Sequence, residues 1–138
     1  MPARNFFTAN EKEDITLAIK NAELDTSGEI RVHVEDKCKG DVKDRAAYIF
    51  GKLEMHKTEQ RNGVLFYLAV KNRRFAILGD IGINKVVPEN FWDNIRDDML
   101  NYFREDQFAE GLVNGITEAG KQLKEHFPFQ TDDVNELS

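Results

Sequence analysis

The chain has 138 residues and 15.9 kDa, the size of one domain and long enough to bury a core without disulfide staples. Nineteen Lys and Arg against twenty-five Asp and Glu give a net charge of −6, and Asp132, Asp133 and Glu136 crowd the C-terminal end. With 41% hydrophobic residues and an acidic balance, neither a strongly basic nucleic-acid binder nor a disordered chain fits.

The first ten residues hold no apolar run of signal-peptide length, and no stretch approaches the ~20 apolar residues of a membrane span. One cysteine, Cys38, cannot close an internal disulfide. Lys37 and Lys39 flank it in an expected loop, where it reads as an ordinary surface thiol rather than a lysine-activated nucleophile. A cytoplasmic location is the expectation.

In chain order, Thr8 and Glu11 predict a capping box, opening a helix through Ile15, Ala18, Ile19 and Ala22 to about Leu24. Asp25-Thr-Ser-Gly28 is turn chemistry. From Glu29 to Glu35 apolar and polar residues alternate, which predicts a strand buried on one side at a sheet edge. Asp41 can cap a second helix whose stripe is Ala46, Ile49, Phe50 and Leu53. Val64 to Val70 is apolar on both faces, as a central strand requires, and the short turn Lys71-Asn-Arg73 forces an antiparallel return through Phe75 to Leu78. Pro88 suits the first turn of a helix carrying Trp92, Ile95, Met99 and Phe103. Asp106 can cap a last helix with Phe108, Leu112, Ile116, Ala119 and Leu123, which Pro128 ends.

The predicted fold is α/β, in the order α-β-α-β-β-α-α: a three-layer α/β/α sandwich. Its small mixed β-sheet combines a parallel pair with an antiparallel hairpin, and helices cover both faces. Residues 1–128 are expected to form one domain, and 129–138 an acidic, mobile tail.

These strand directions sort distant residues onto two rims. The starts of the first two strands and the end of the third bring Glu29, Arg61, Asn62 and Asp80 to one rim. Glu29 and Asp80 offer oxygens of the kind Ca²⁺ and Mg²⁺ prefer, while Arg61, with Asn62 beside it, offers a phosphate anchor. The same residues also fit a structural role, with Arg61 paired to Glu29 or Asp80 and Asn62 or Asp80 serving a turn. At the opposite rim Lys37, Lys39, Lys71, Arg73 and Arg74 make an alternative anion patch, near where open α/β sheets bind ligands. Charge is also uneven along the chain: residues 37–61 carry seven basic and four acidic side chains, and residues 86–113 two and seven. No zinc spacing, Walker loop, nucleophile elbow or dinucleotide fingerprint occurs, and no nucleophile is identified.

Four segments, Ser27-Gly-Glu-Ile-Arg-Val32, Arg61-Asn-Gly-Val-Leu65, Ile77-Leu-Gly-Asp-Ile-Gly-Ile83 and Phe108-Ala-Glu-Gly-Leu112, stand in an order and spacing that resembles the TPM domain family. Known members include thylakoid-lumen and photosystem-associated proteins and many bacterial ones. The resemblance spans about Ala9 to Phe127 and implies an α/β/α sandwich. It implies either a weak acid phosphatase that holds a divalent metal, or a regulatory or assembly factor. Carried over by position, Glu29 and Asp80 are the candidate metal ligands and Arg61 the candidate phosphate anchor. The expected function is a soluble regulatory or interaction module with an unidentified protein partner and a capacity for Ca²⁺, Mg²⁺ or anions. The alternative is a metal-assisted phosphatase-like hydrolase of phosphomonoesters.

Overall fold

The computed structural model describes residues 5–129. Helix α1 (Ala9–Glu23) starts on the expected box: Thr8 Oγ1 accepts from the Glu11 N–H, and Glu11 Oε1 accepts from the Thr8 N–H. Strand β1 (Glu29–Glu35) leads to α2 (Val42–Lys52), whose first N–H groups donate to the Asp41 carboxylate. A 3₁₀ turn, Met55–Lys57, precedes β2 (Gly63–Ala69), and β3 (Arg74–Gly79) returns antiparallel. A four-residue helix, α3 (Ile81–Asn84), then leads to α4 (Phe91–Arg104) and α5 (Phe108–His126).

The sheet order is β1-β2-β3, so β1 is an edge and β2 the centre, as the apolar patterns predict. β1 runs parallel to β2 from Glu29 opposite Gly63 to Glu35 opposite Ala69. β3 runs antiparallel to β2 from Val64 opposite Gly79 to Ala69 opposite Arg74. Alternation along β2 divides the core into two layers. Val64, Phe66 and Leu68 face the side of α1, α4 and α5, while Leu65, Tyr67 and Ala69 face α2. Phe66 and Tyr67 are fully buried, each contributing roughly 2–3 kcal/mol of apolar burial.

Helix α5 crosses α1 so closely that a Cβ on Gly120 would stand 2.6 Å from Ala22 Cβ, which explains a glycine in mid-helix. At the far end of α5, the Thr26 hydroxyl donates to the Phe127 carbonyl and a bridge joins Thr26 to Pro128.

Two helix starts differ from the sequence expectation. Asp106 does not cap α5: it sits at φ 58, and the Gln107 N–H donates to the Tyr102 carbonyl. The connection is so short that Asp106 serves to terminate α4 in the left-handed conformation, and Gln107 becomes the N-cap. Pro88 stands before α4, its carbonyl accepting from the Phe91 N–H. Neither the 3₁₀ turn, which buries Met55 completely, nor α3 was expected. Of the expected acidic tail, residues 130–138 lie outside the described residues.

Candidate functional site

The first rim forms where the strand directions require, but its residues divide. Arg61 lies in the left-handed region at φ 53, so the chain turns sharply into Asn62 and β2. Its Nε donates to Asp80 Oδ2 at 2.6 Å and its Nη2 to Asp80 Oδ1 at 2.9 Å, a bidentate fork. Asp80 is buried at 6% exposure, and its Oδ1 also accepts from the Ile81 N–H at the start of α3. The carboxylate raises the Arg61 pKa, chiefly through these hydrogen bonds. Backbone bonds stitch the same segments: Asp80 N–H to the Gly63 carbonyl at 2.9 Å, and Gly82 N–H to the Arg61 carbonyl at 2.8 Å.

Asn62 is 1% exposed; its Nδ2 donates to Ser27 Oγ at 3.1 Å, and its Oδ1 is buried without a partner. Glu29 shares the rim by register, yet its carboxylate accepts from Arg31 Nε at 3.3 Å. Arg61 and Asp80 are thus brought together, and Asn62 is tied to the segment before β1.

Ca²⁺ or Mg²⁺ needs about six or more oxygens. Here both Asp80 oxygens face a guanidinium, Glu29 is engaged by Arg31, and among the described residues no group of three or more His, Cys, Asp and Glu is placed to hold a metal. As arranged, these residues do not fit a divalent cation. The one feature favouring it is the unpartnered Asn62 Oδ1.

On the second rim Lys37, Lys39, Lys71, Arg73 and Arg74 are all exposed. The loop and the hairpin turn are held together: Asn72 Oδ1 accepts from the Cys38 N–H at 2.6 Å, and Arg74 Nη1 donates to the Gly40 carbonyl at 2.9 Å. This pinning corrects the expectation for Cys38. It is 5% exposed and packs with the α2 layer, so it is a core thiol rather than a surface one.

A third cluster escaped the sequence reading. Glu35, on the polar face of β1, accepts from Arg45 of α2 (Nε to Oε2, 3.0 Å) and from the Tyr67 hydroxyl, and His33 Nε2 lies 3.4 Å from its Oε1. The Arg45 hydrogen bonds, opposed by burial and assisted by Tyr67, pull the Glu35 pKa down to about 2. Burial first, then Glu35, pushes the Tyr67 pKa up. The legible signal was Arg45, a cation one position before Ala46 of the buried stripe.

Between the parallel helices α1 and α5 runs an open groove of about 760 Å³. Leu17, 55% exposed, Ala18 and Val113 give it an apolar wall. Glu11, Asp14 and Glu110 line its start, and Lys121 and Lys124 its end.

A mixed three-stranded sheet, with α2 on one face and α1, α4 and α5 on the other, defines a small α/β/α sandwich domain with a clasped ionic rim. The family model described as the TPM domain matches residues 2–122, and the chain belongs to the TPM domain family. The BA42 protein of the psychrophilic bacterium Bizionia argentinensis is 48% identical, with a TM-score of 0.84 over 93% of this chain and 88% of that one. The N-terminal domain of a P. gingivalis protein (19% identical, TM-score 0.73, 91% and 83% covered) shares the fold. So does that of the Corynebacterium glutamicum protein cg2496 (14%, 0.67, 85% and 74%). No curated protein matches the sequence. Among the described residues no helix is long and apolar enough to cross a membrane.

Proposed function

We propose that this chain is a regulatory or interaction module in which the Arg61–Asp80 rim serves structure and the α1–α5 groove receives an amphipathic helix of a partner protein. The groove carries the reading. It offers an apolar wall, Leu17 and Ala18 on α1 and Val113 on α5, between an acidic start and a basic end. A helix with apolar residues at i, i+3, i+4 and i+7 seats in such a groove. Basic residues on the partner would lie toward Glu11, Asp14 and Glu110, and its carboxylates toward Lys121.

The test uses a synthetic amphipathic helical peptide with lysines at one end and glutamates at the other. Saturable amide shifts confined to α1 and α5, lost in Leu17→Asp, support the assignment. Absent shifts, or shifts unaffected by that substitution, remove it.

Metal-assisted hydrolysis of phosphomonoesters is the second reading, favoured by the buried Asn62 Oδ1. This reading takes Glu29 and Asp80 as ligands and Arg61 as phosphate anchor, and it requires Arg31 to release Glu29 and Arg61 to release Asp80. Hydrolysis of p-nitrophenyl phosphate with Ca²⁺ or Mg²⁺, abolished by Asp80→Asn, would move the assignment to this reading. Rates at the level of the protein-free blank would leave the rim a structural clasp.

A further inference from the structure

Beneath the β2–β3 hairpin turn lies a cavity of about 250 Å³ that neither the clasped rim nor the α1–α5 groove includes. Its body is apolar: Leu68 and Phe75 come from the sheet, Leu100 and Phe103 from α4, and Phe108 from α5. Two edge-to-face pairs fix the aromatic walls, Phe75 on Phe103 at 5.0 Å and Phe6 on Phe108 at 5.2 Å. Three exposed arginines, Arg73, Arg74 and Arg104, line the same cavity.

Among the described residues none of the three forms an ion pair. Arg74 donates one N–H to the Gly40 carbonyl and Arg104 one to Asn101 Oδ1, which leaves most of each fork free. Arg73 occupies a left-handed turn position, φ 53, that Gly or Asn would fill with less strain. The cavity also opens at the carboxyl end of β2, where α/β sheets commonly receive ligands.

We propose that this cavity binds a small amphipathic anion, its aryl or short acyl body among the phenylalanines and its anionic head held by Arg73 and Arg104, with Arg74 beside them. Guanidinium forks match a carboxylate or phosphate in a plane, and an apolar cavity with a few convergent polar groups is the usual form of a small-molecule site. The volume admits a body of one ring with a short chain, which excludes a peptide helix or a lipid with full-length acyl chains. The site is independent of the helix groove, so either assignment can fail alone.

Two isosteric probes test it on the full chain by amide shifts: 4-phenylbutyrate and its neutral counterpart 4-phenylbutanol. The expected result is saturable binding of the acid at about 1 mM or tighter. Its shifts should centre on Val70, Arg73, Phe103 and Phe108, with the alcohol weaker by about tenfold. Arg73→Gln with Arg104→Gln, both at exposed positions, should remove that preference while leaving the alcohol unchanged. Leu100→Trp, which fills the cavity, should abolish binding of both probes. No saturable shift with the acid, shifts centred elsewhere, or equal binding of acid and alcohol would overturn the proposal. So would an acid preference that survives the double arginine substitution.

Discussion

Arg61 holds both carboxylate oxygens of Asp80, a residue nineteen positions away on the next strand turn, through a fork at 2.6 and 2.9 Å. The pair closes the rim between the start of β2 and the end of β3. One of those oxygens also caps α3. Asp80 therefore has two separable duties, an ionic one toward Arg61 and a neutral one toward the Ile81 N–H.

Substitutions at Asp80 resolve these duties. Asn keeps a cap acceptor and loses the charge, whereas Ala loses both. Thermal unfolding should rank wild type above Asp80→Asn above Asp80→Ala, with the last step near 1 kcal/mol, the usual worth of an N-cap. Arg61→Ala should lower stability in wild type and have much less effect on an Asp80→Asn background. Additive losses would mean that the fork contributes nothing beyond its separate parts.

Gly82 lies under the same rim, where a Cβ would stand 2.0 Å from the Gln60 carbonyl oxygen and 2.6 Å from that of Arg61. Both are backbone atoms that cannot rotate away. Gly82→Ala is expected to cost about 3 kcal/mol or more, as forced overpacking does. Denaturant midpoints would measure this, and a near-neutral result would show that the turn before β2 yields easily.

The pinning of Cys38 has a chemical consequence. Its backbone N–H is fixed by Asn72, and its side chain is packed beside Tyr67 and Ala46 in the α2 layer. The native thiol should react with a bulky disulfide reagent far more slowly than the thiol of the unfolded chain. Asn72→Ala should accelerate it by loosening the loop. Equal native and denatured rates would contradict burial at this position.

Elements with local physical causes were readable from the sequence. Thr8 with Glu11 and Asp41 announced their helix starts, and the alternation from Glu29 and the unbroken run from Val64 separated edge from central strand. Those strand directions were enough to place Arg61 and Asp80 together. What escaped depends on contacts across the fold. Glu29 turns to Arg31, two residues along its own strand, rather than to Asp80. Arg104 reaches the hairpin cavity because α4 packs beneath β3, which no pattern within α4 encodes. Asp106 has an N-cap side chain, but the three-residue link from Arg104 to Phe108 needs a left-handed residue there more than it needs a cap.

Glu35 was read as part of a polar outer face, yet α2 lies over that face and supplies Arg45. The carboxyl group falls from an ordinary 4.5 to about 2 in the folded chain, first through the Arg45 hydrogen bonds and then, against burial, through Tyr67. A depressed folded pKa stabilises the fold fully above the unfolded value, and that stability is lost as pH falls from 4.5 toward 2. Because Arg45 is 38% exposed, solvent screening reduces the contribution to about 1–2 kcal/mol. Glu35→Gln should lower the unfolding temperature at neutral pH and flatten its decline over that acid window, so the two curves converge toward pH 2. Other carboxylates titrate in the same range, but they cancel in the difference between the two proteins. Curves that stay parallel down to pH 2 would show that Arg45 and Tyr67 do not hold the Glu35 charge in the folded state.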